Sequence, residues 1–216
     1  MLLAALPATS QADILYVTLD NNVIEKITST GVDSVFASTD LSNPKGLAFD
    51  SAGNLYAVNS GTNTIEKYTS GGVGSVFASS GLSTPYGLAF DSAGNLYAAN
   101  NSINTIEKFT PGGVASVFAS TGLSSPSGLA FDGAGNLYAA NNANSTIEKF
   151  TPGGVASVFA DSTNGVSGNP DFIAFTNDAG VPLLLANQVP EPATWAMLVG
   201  GLALLALRRR KTLRNA

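Results

Sequence analysis

The side chains available for chemistry in this sequence form a restricted set. Its 216 residues contain no cysteine and no histidine. That removes the thiolate nucleophile, the commonest general base and the usual zinc ligand. What remains are carboxylates, amides and a few lysines at recurring positions. One position follows a proline and precedes a short apolar run, and it reads Lys45, Tyr86, Ser127 and Asp171 in turn. Packing alone does not ask for four unlike polar groups in near-identical surroundings, whereas the mouth of a ligand site does; drift at an exposed loop is the competing reading. Asn59, Asn100, Asn141 and Asn187 each close a run of the type Leu-Tyr-Ala-Ala-Asn. They could offer a ring of amide donors and acceptors suited to sugar hydroxyls, or cap the loops they begin.

Other polar groups point away from catalysis. Asp50, Asp91 and Asp132 each open a short Asp-x-Ala-Gly-Asn segment, where a carboxylate caps the backbone N–H groups of its own turn. The dense carboxylate spacing of a calcium loop is missing from these segments, so no metal site is expected. The pairs Glu66-Lys67, Glu107-Lys108 and Glu148-Lys149 alternate across a strand and read as solvated side chains or weak ion pairs between neighbouring units. No catalytic constellation and no cofactor-binding motif emerges.

The elements that must position these residues follow from an internal repeat. GLAFDSAGNLYAVN at Gly46–Asn59 recurs at Gly87–Asn100 and at Gly128–Asn141, a period of 41. Ile-Glu-Lys recurs at Ile24, Ile65, Ile106 and Ile147, and Ser-Val-Phe-Ala at Ser34, Ser75, Ser116 and Ser157, with the same spacing. Such a period outranks single-residue signals, because it decides the architecture. Each unit offers four short strands in the order GLAF, NLYAAN, TIEKF, ASVFA. The first two are joined by a type I turn closed by a left-handed glycine. Between the third and fourth, Thr110-Pro111-Gly112-Gly113 suits type II geometry. The second strand is apolar on both faces, so its sheet needs a neighbour on each side. The expected fold is therefore all-β: a small β-propeller of about four, possibly five, four-stranded antiparallel blades, followed by a C-terminal hydrophobic helix. A solenoid of stacked hairpins is the alternative. The array starts in mid-unit, with Ile14 to Thr18 matching a second strand, and Phe172–Phe175 supplies a first strand able to complete that blade and shut the ring. Leu183 to Asn187 then repeats a second strand, left over or belonging to a fifth, partial blade.

Both ends read as addresses. Residues 1–12 are a short apolar run ending in Ser10-Gln11-Ala12, the small-x-Ala form of a signal-peptidase site, without a basic start; a partial signal peptide is the reading, with a frayed tail as the alternative. Residues 13–188 form the repeat body. At the far end Val189-Pro190-Glu191-Pro192 precedes the apolar stretch Ala193 to Leu207, short for a full crossing, and then Arg208, Arg209, Arg210 and Lys211. The net charge of −5 hides an asymmetry, since five of the ten basic residues lie from Arg208 onward while all fifteen acids precede it. A body that acidic repels phosphate backbones, which excludes nucleic-acid binding.

Two resemblances follow from these motifs. P-x-GLAFDxxGNLYxxN…TIEKF resembles the NHL repeat, which implies a propeller and leaves both binding platforms and enzymes open. The tail over residues 189–216, with its Pro-Glu-Pro box, transmembrane helix and arginine cluster, resembles the PEP-CTERM sorting signal. That resemblance implies recognition of the box by an exosortase-type partner, removal of the helix, and release of an inner-membrane-anchored precursor to the cell surface or extracellular matrix of a Gram-negative bacterium; a plain single-span anchor is the alternative. The expected function is an exported binding or scaffold protein that recognises polysaccharide or surface proteins in extracellular polymer or biofilm. The alternative is a metal-dependent gluconolactonase-like hydrolase, for which Asp171 with Asn59, Asn100 and Asn141 would be the donor set.

Overall fold

The computed structural model describes residues 14–175. These lie within the first of two compact units, Met1–Leu183 and Leu184–Ala216. The hydrophobic stretch Ala193 to Leu207, the Pro-Glu-Pro box, the arginine cluster, Asn187 and the Leu183–Asn187 strand fall outside the described residues.

The described residues form fifteen strands in four antiparallel sheets. The first sheet has three strands: β1 (Ile14–Leu19), β2 (Val23–Thr28) and β3 (Asp33–Ala37). The second holds β4 (Pro44–Phe49), β5 (Leu55–Asn59), β6 (Thr64–Tyr68) and β7 (Gly74–Ala78). The third repeats this with β8 (Pro85–Phe90), β9 (Leu96–Asn100), β10 (Thr105–Phe109) and β11 (Ala115–Ala119). The fourth holds β12 (Pro126–Phe131), β13 (Leu137–Asn141), β14 (Thr146–Phe150) and β15 (Ala156–Ala160). Each sheet is an up-and-down blade in which neighbours in sequence are neighbours in space. The first strands β4, β8 and β12 stand side by side.

Turn chemistry fixes the register. In the hairpin of β8 and β9 the Asp91 carboxylate accepts from the N–H groups of Ala93 and Asn95 at 2.9 and 2.8 Å, from Asn95 Nδ2 at 2.7 Å and from the Tyr97 hydroxyl at 3.2 Å. Gly94 closes the turn at φ 81°, a conformation that costs a residue with a Cβ about 1–2 kcal/mol. The turn between β10 and β11 departs from expectation. Gly113, not Gly112, has positive φ, and its N–H donates to Thr110 O at 2.8 Å. Type II geometry would need the positive φ one residue earlier, so this is a type I turn followed by a left-handed glycine.

The core lies between blades rather than inside them. Every residue of β5, β9 and β13 is buried, as expected of a strand apolar on both faces. A chain of aromatic contacts runs through the interfaces. Tyr97 meets Phe118 of its own blade edge-on, with ring centroids 5.0 Å apart, and Phe131 of the next blade, also at 5.0 Å. Phe118 in turn reaches Phe150 of the next blade at 6.1 Å. The same triad recurs as Tyr56 with Phe77 and Phe90, and as Tyr16 with Phe36 and Phe49. Edge-to-face pairs of this kind add about 0.5–1.5 kcal/mol each beyond their buried area.

Closure of the ring by Phe172–Phe175 is not what the described residues show. The segment forms no strand, and β1 pairs only with β2 among them. A Cβ on Gly128 of β12 would meet Asp171 O at 2.6 Å and Phe172 Cα at 2.8 Å, and Phe175 packs on Tyr138 with centroids 4.7 Å apart. The segment therefore takes the place of the first strand of a following blade.

Candidate functional site

The face of interest carries the connections after the second and fourth strands of each blade. Hydrogen bonds join these connections: Ser60 N–H donates to Asn43 O at 3.2 Å, and Gly61 N–H to Ser42 O at 3.0 Å. Asn63, at φ 56°, accepts through Oδ1 from the Thr84 N–H at 2.6 Å, and Asn104 does the same for Ser125. Short polar loops are thus tied down blade by blade, giving a rigid rim.

Lys45, Tyr86, Ser127 and Asp171 follow one another along this rim. The absence of a Cβ at Gly46 and Gly87 lets the backbones touch, for the nearest atoms to such a Cβ are Tyr86 O and Ser127 O. Lys45 Nζ sits 5.9 Å from the centroid of the Tyr86 ring, within range of a cation–π contact. Both side chains are half-buried and Asp171 is exposed. Asp171 accepts from Asn142 Nδ2 at 2.6 Å. Ser127 differs from its neighbours. It is buried, and its hydroxyl lies 3.1 Å from Pro170 O and 3.3 Å from Ala140 O, to which it donates. The structure thus brings Lys45, Tyr86 and Asp171 to one accessible row and leaves Ser127 as a tie beneath it.

Of the two readings open for the asparagines, a sugar-binding ring or loop caps, the described ones take the second. Asn59, Asn100 and Asn141 are buried. Asn100 Oδ1 accepts from the Ser83 N–H at 2.9 Å, while Nδ2 donates to Gly81 O at 2.8 Å and to Thr105 Oγ1 at 3.1 Å. Asn59 and Asn141 repeat the pattern on Ser42, Asp40 and Thr64, and on Ser124, Gly122 and Thr146. Each amide is committed to clamping the loop that enters its blade, so the donor set suggested for a metal does not converge on Asp171.

The Glu-Lys pairs are also corrected. Glu66, Glu107 and Glu148 are buried, not solvated. Each faces the preceding blade: a Cβ on Gly81 would meet the Glu107 carboxyl at 2.9 Å, and one on Gly122 the Glu148 carboxyl. Burial raises the pKa of all three. At Glu66 the Asp40 charge adds to the rise and the Thr64 hydroxyl opposes it. Glu66 Oε2 has no hydrogen-bond partner among the described residues. The lysines turn the other way. Lys67 Nζ lies 3.6 Å from Asp50 and 5.2 Å from the Tyr56 ring centre, and Lys108 is 4.0 Å from Asp91. Burial opposes ionisation of Asp50, but hydrogen bonds from Asn54 together with Lys67 outweigh it and lower its pKa. Sequence reasoning missed the glutamates because strand alternation cannot tell solvent from a neighbouring blade. The usable signal was their recurrence at 41-residue spacing beside varied loops.

Residues 188–211 match the family model of the PEP-CTERM protein-sorting motif. The chain is accordingly a membrane-anchored precursor, subject to exosortase processing and export to the Gram-negative cell surface. No curated protein matches it. Solved structures do. One from a nidogen–laminin complex has 21% identity and a TM-score of 0.68, over 78% of this chain and 68% of its own. A gluconolactonase from Xanthomonas campestris has 19% identity and a TM-score of 0.64, over 74% of this chain and 61% of its own. A catalytically inactive histidine-to-alanine variant of virginiamycin B lyase from Staphylococcus aureus, with quinupristin, has 20% identity and a TM-score of 0.59, over 77% of this chain and 61% of its own. The fold is thus that of the β-propellers. The chain spans 68% of the length of the first of these structures and 61% of the other two.

Proposed function

We propose that this exported propeller is a binding module whose contact surface is the row Lys45, Tyr86 and Asp171, and that its ligand is a polysaccharide of the extracellular polymer. One observation carries the reading. On a scaffold repeated with few changes, the residue after the rim proline changes character from blade to blade, and the half-buried Tyr86 ring there is flanked by a cation at 5.9 Å. A ring held in that way offers an apolar face to the C–H groups of a sugar, while the ammonium and the Asp171 carboxylate take its hydroxyl or acidic substituents. The asparagines belong to the scaffold in this account.

Enzymatic readings find less support. In the lyase neighbour a single histidine-to-alanine change accompanies loss of catalysis, and this sequence has no histidine. For a lactonase-like hydrolase the amides that would serve as donors are committed to loop carbonyls and hydroxyls.

Tyr86→Ala and Lys45→Ala should each weaken retention on isolated extracellular polysaccharide about tenfold, roughly 1.4 kcal/mol, with the melting temperature unchanged. Unaltered retention would remove the row as the site. A melting temperature that rises by several degrees with calcium or manganese would restore the hydrolase reading.

A further inference from the structure

We propose that the two ends of the blade array bind each other between copies of this chain, the trailing edge of one copy seating on the leading edge of a second. Within the chain the blade-to-blade interface is built three times from the same parts. The fourth-strand phenylalanine of one blade (Phe36, Phe77, Phe118) packs on the third-strand aromatic of the next (Tyr68, Phe109, Phe150), with centroids 6.1–6.2 Å apart. A left-handed glycine of the next blade approaches that phenylalanine's carbonyl: a Cβ on Gly113 would lie 2.6 Å from Phe77 O, and one on Gly154 2.9 Å from Phe118 O.

Each end of the array keeps one half of this interface. At the trailing edge Phe159 meets Tyr138 at 4.9 Å, but no third-strand residue of a following blade lies against it among the described residues, and it is 55% exposed. At the leading edge Leu15 is 62% exposed, while its counterparts Leu55, Leu96 and Leu137 are at most 1% exposed. Gly31 holds φ 79° like Gly72, Gly113 and Gly154, yet nothing lies within 4 Å of a Cβ placed there. Ile27 occupies the register position of Phe109. Only twelve residues, 176–187, separate Phe175 from the sorting motif that begins at 188, and none of them is aromatic. The segment 171–175 already sits in the place of the first strand of a following blade, and among the described residues that blade has no second, third or fourth strand, which β1, β2 and β3 of another copy would provide. A head-to-tail contact of this kind closes into a ring or runs on as a fibre, and both give products at multiples of the chain mass.

The test uses the full chain in detergent, where the absence of cysteine gives no background. Chains with Ile27→Cys and chains with Phe159→Cys, differently tagged, are mixed and treated with a short bis-maleimide; the wild type is run in parallel by sedimentation. The expected result is a product containing both tags, formed only in the mixture and lost when Leu15→Asp is added to the Ile27→Cys chain, together with a wild type larger than one copy. Three results would overturn the proposal. The wild type could sediment as a single copy at every concentration. It could associate to an extent that Phe159→Asp leaves unchanged. Or a chain carrying both Ile27→Cys and Phe159→Cys could cross-link only within itself, which would mean that the array shuts on its own end.

Discussion

The two middle blades and the two outer faces of the array are built from the same text and differ in what stands beside them. Phe109 is fully buried, whereas Phe159, one strand further along an equivalent blade, is more than half exposed. Leu96 is sealed and Leu15 is open to solvent. Glu107 and Glu148 are buried, while Glu25 at the same register is only half-buried because no described blade precedes it. Strand-forming tendency is equal in each pair. Burial in this protein is therefore a property of adjacency, conferred by the neighbouring blade rather than by the strand itself, as in other repeat architectures.

The sharpest way to break that comparison is to delete the same kind of side chain in both regions. Phe109→Ala should cost about 3–5 kcal/mol of unfolding free energy, the usual loss for a fully buried phenylalanine. Phe159→Ala should cost about 1 kcal/mol, the worth of one edge-on aromatic contact. Denaturant titration of both variants at low concentration checks this. Equal losses would mean that the end faces are covered in solution.

Glycine substitutions sharpen the contrast at smaller scale. Gly113→Ala and Gly31→Ala both force a Cβ into a left-handed conformation, about 1–2 kcal/mol in each case. Only Gly113→Ala also drives that atom against Phe77 O. The difference between their melting temperatures, Gly113→Ala being the lower, reports the inter-blade contact with the backbone cost cancelled.

The smallest effect is the pH profile. The buried glutamates have folded pKa values above the ordinary 4.5. Their stabilising contribution is complete below that value and is lost as pH rises above it. Asp50 and Asp132 are lowered from 3.8; burial opposes this, but the hydrogen bonds from Asn54 and Asn136 prevail. Their contribution is present above 3.8 and lost as pH falls below it. Melting temperature should therefore peak between pH 3.8 and 4.5 and decline as pH rises above that window. Scanning calorimetry across pH measures this, and a Glu66→Gln, Glu107→Gln, Glu148→Gln variant should flatten the decline.

Much of the fold was legible in the residues themselves. A 41-residue period, turn glycines and capping aspartates are local features, and local chemistry writes them directly into the chain. Asp91 caps its turn because the acceptor and the donors are within four residues of each other. The candidate site was legible only in part: the Pro-x-Gly position was visible as variety within a constant frame, but not that Ser127 lies beneath the rim while Tyr86 stays accessible.

What the sequence determined by itself is the blade, four strands whose turns and registers follow from short-range contacts, and the address at its C-terminus. Tertiary structure decided which amides became clamps, which carboxylates were buried and whether the array met its own beginning. Those outcomes hang on which blade stands beside which, through ring-on-ring packing and glycine-to-carbonyl contacts between residues of different blades, and no window of sequence within one blade contains them.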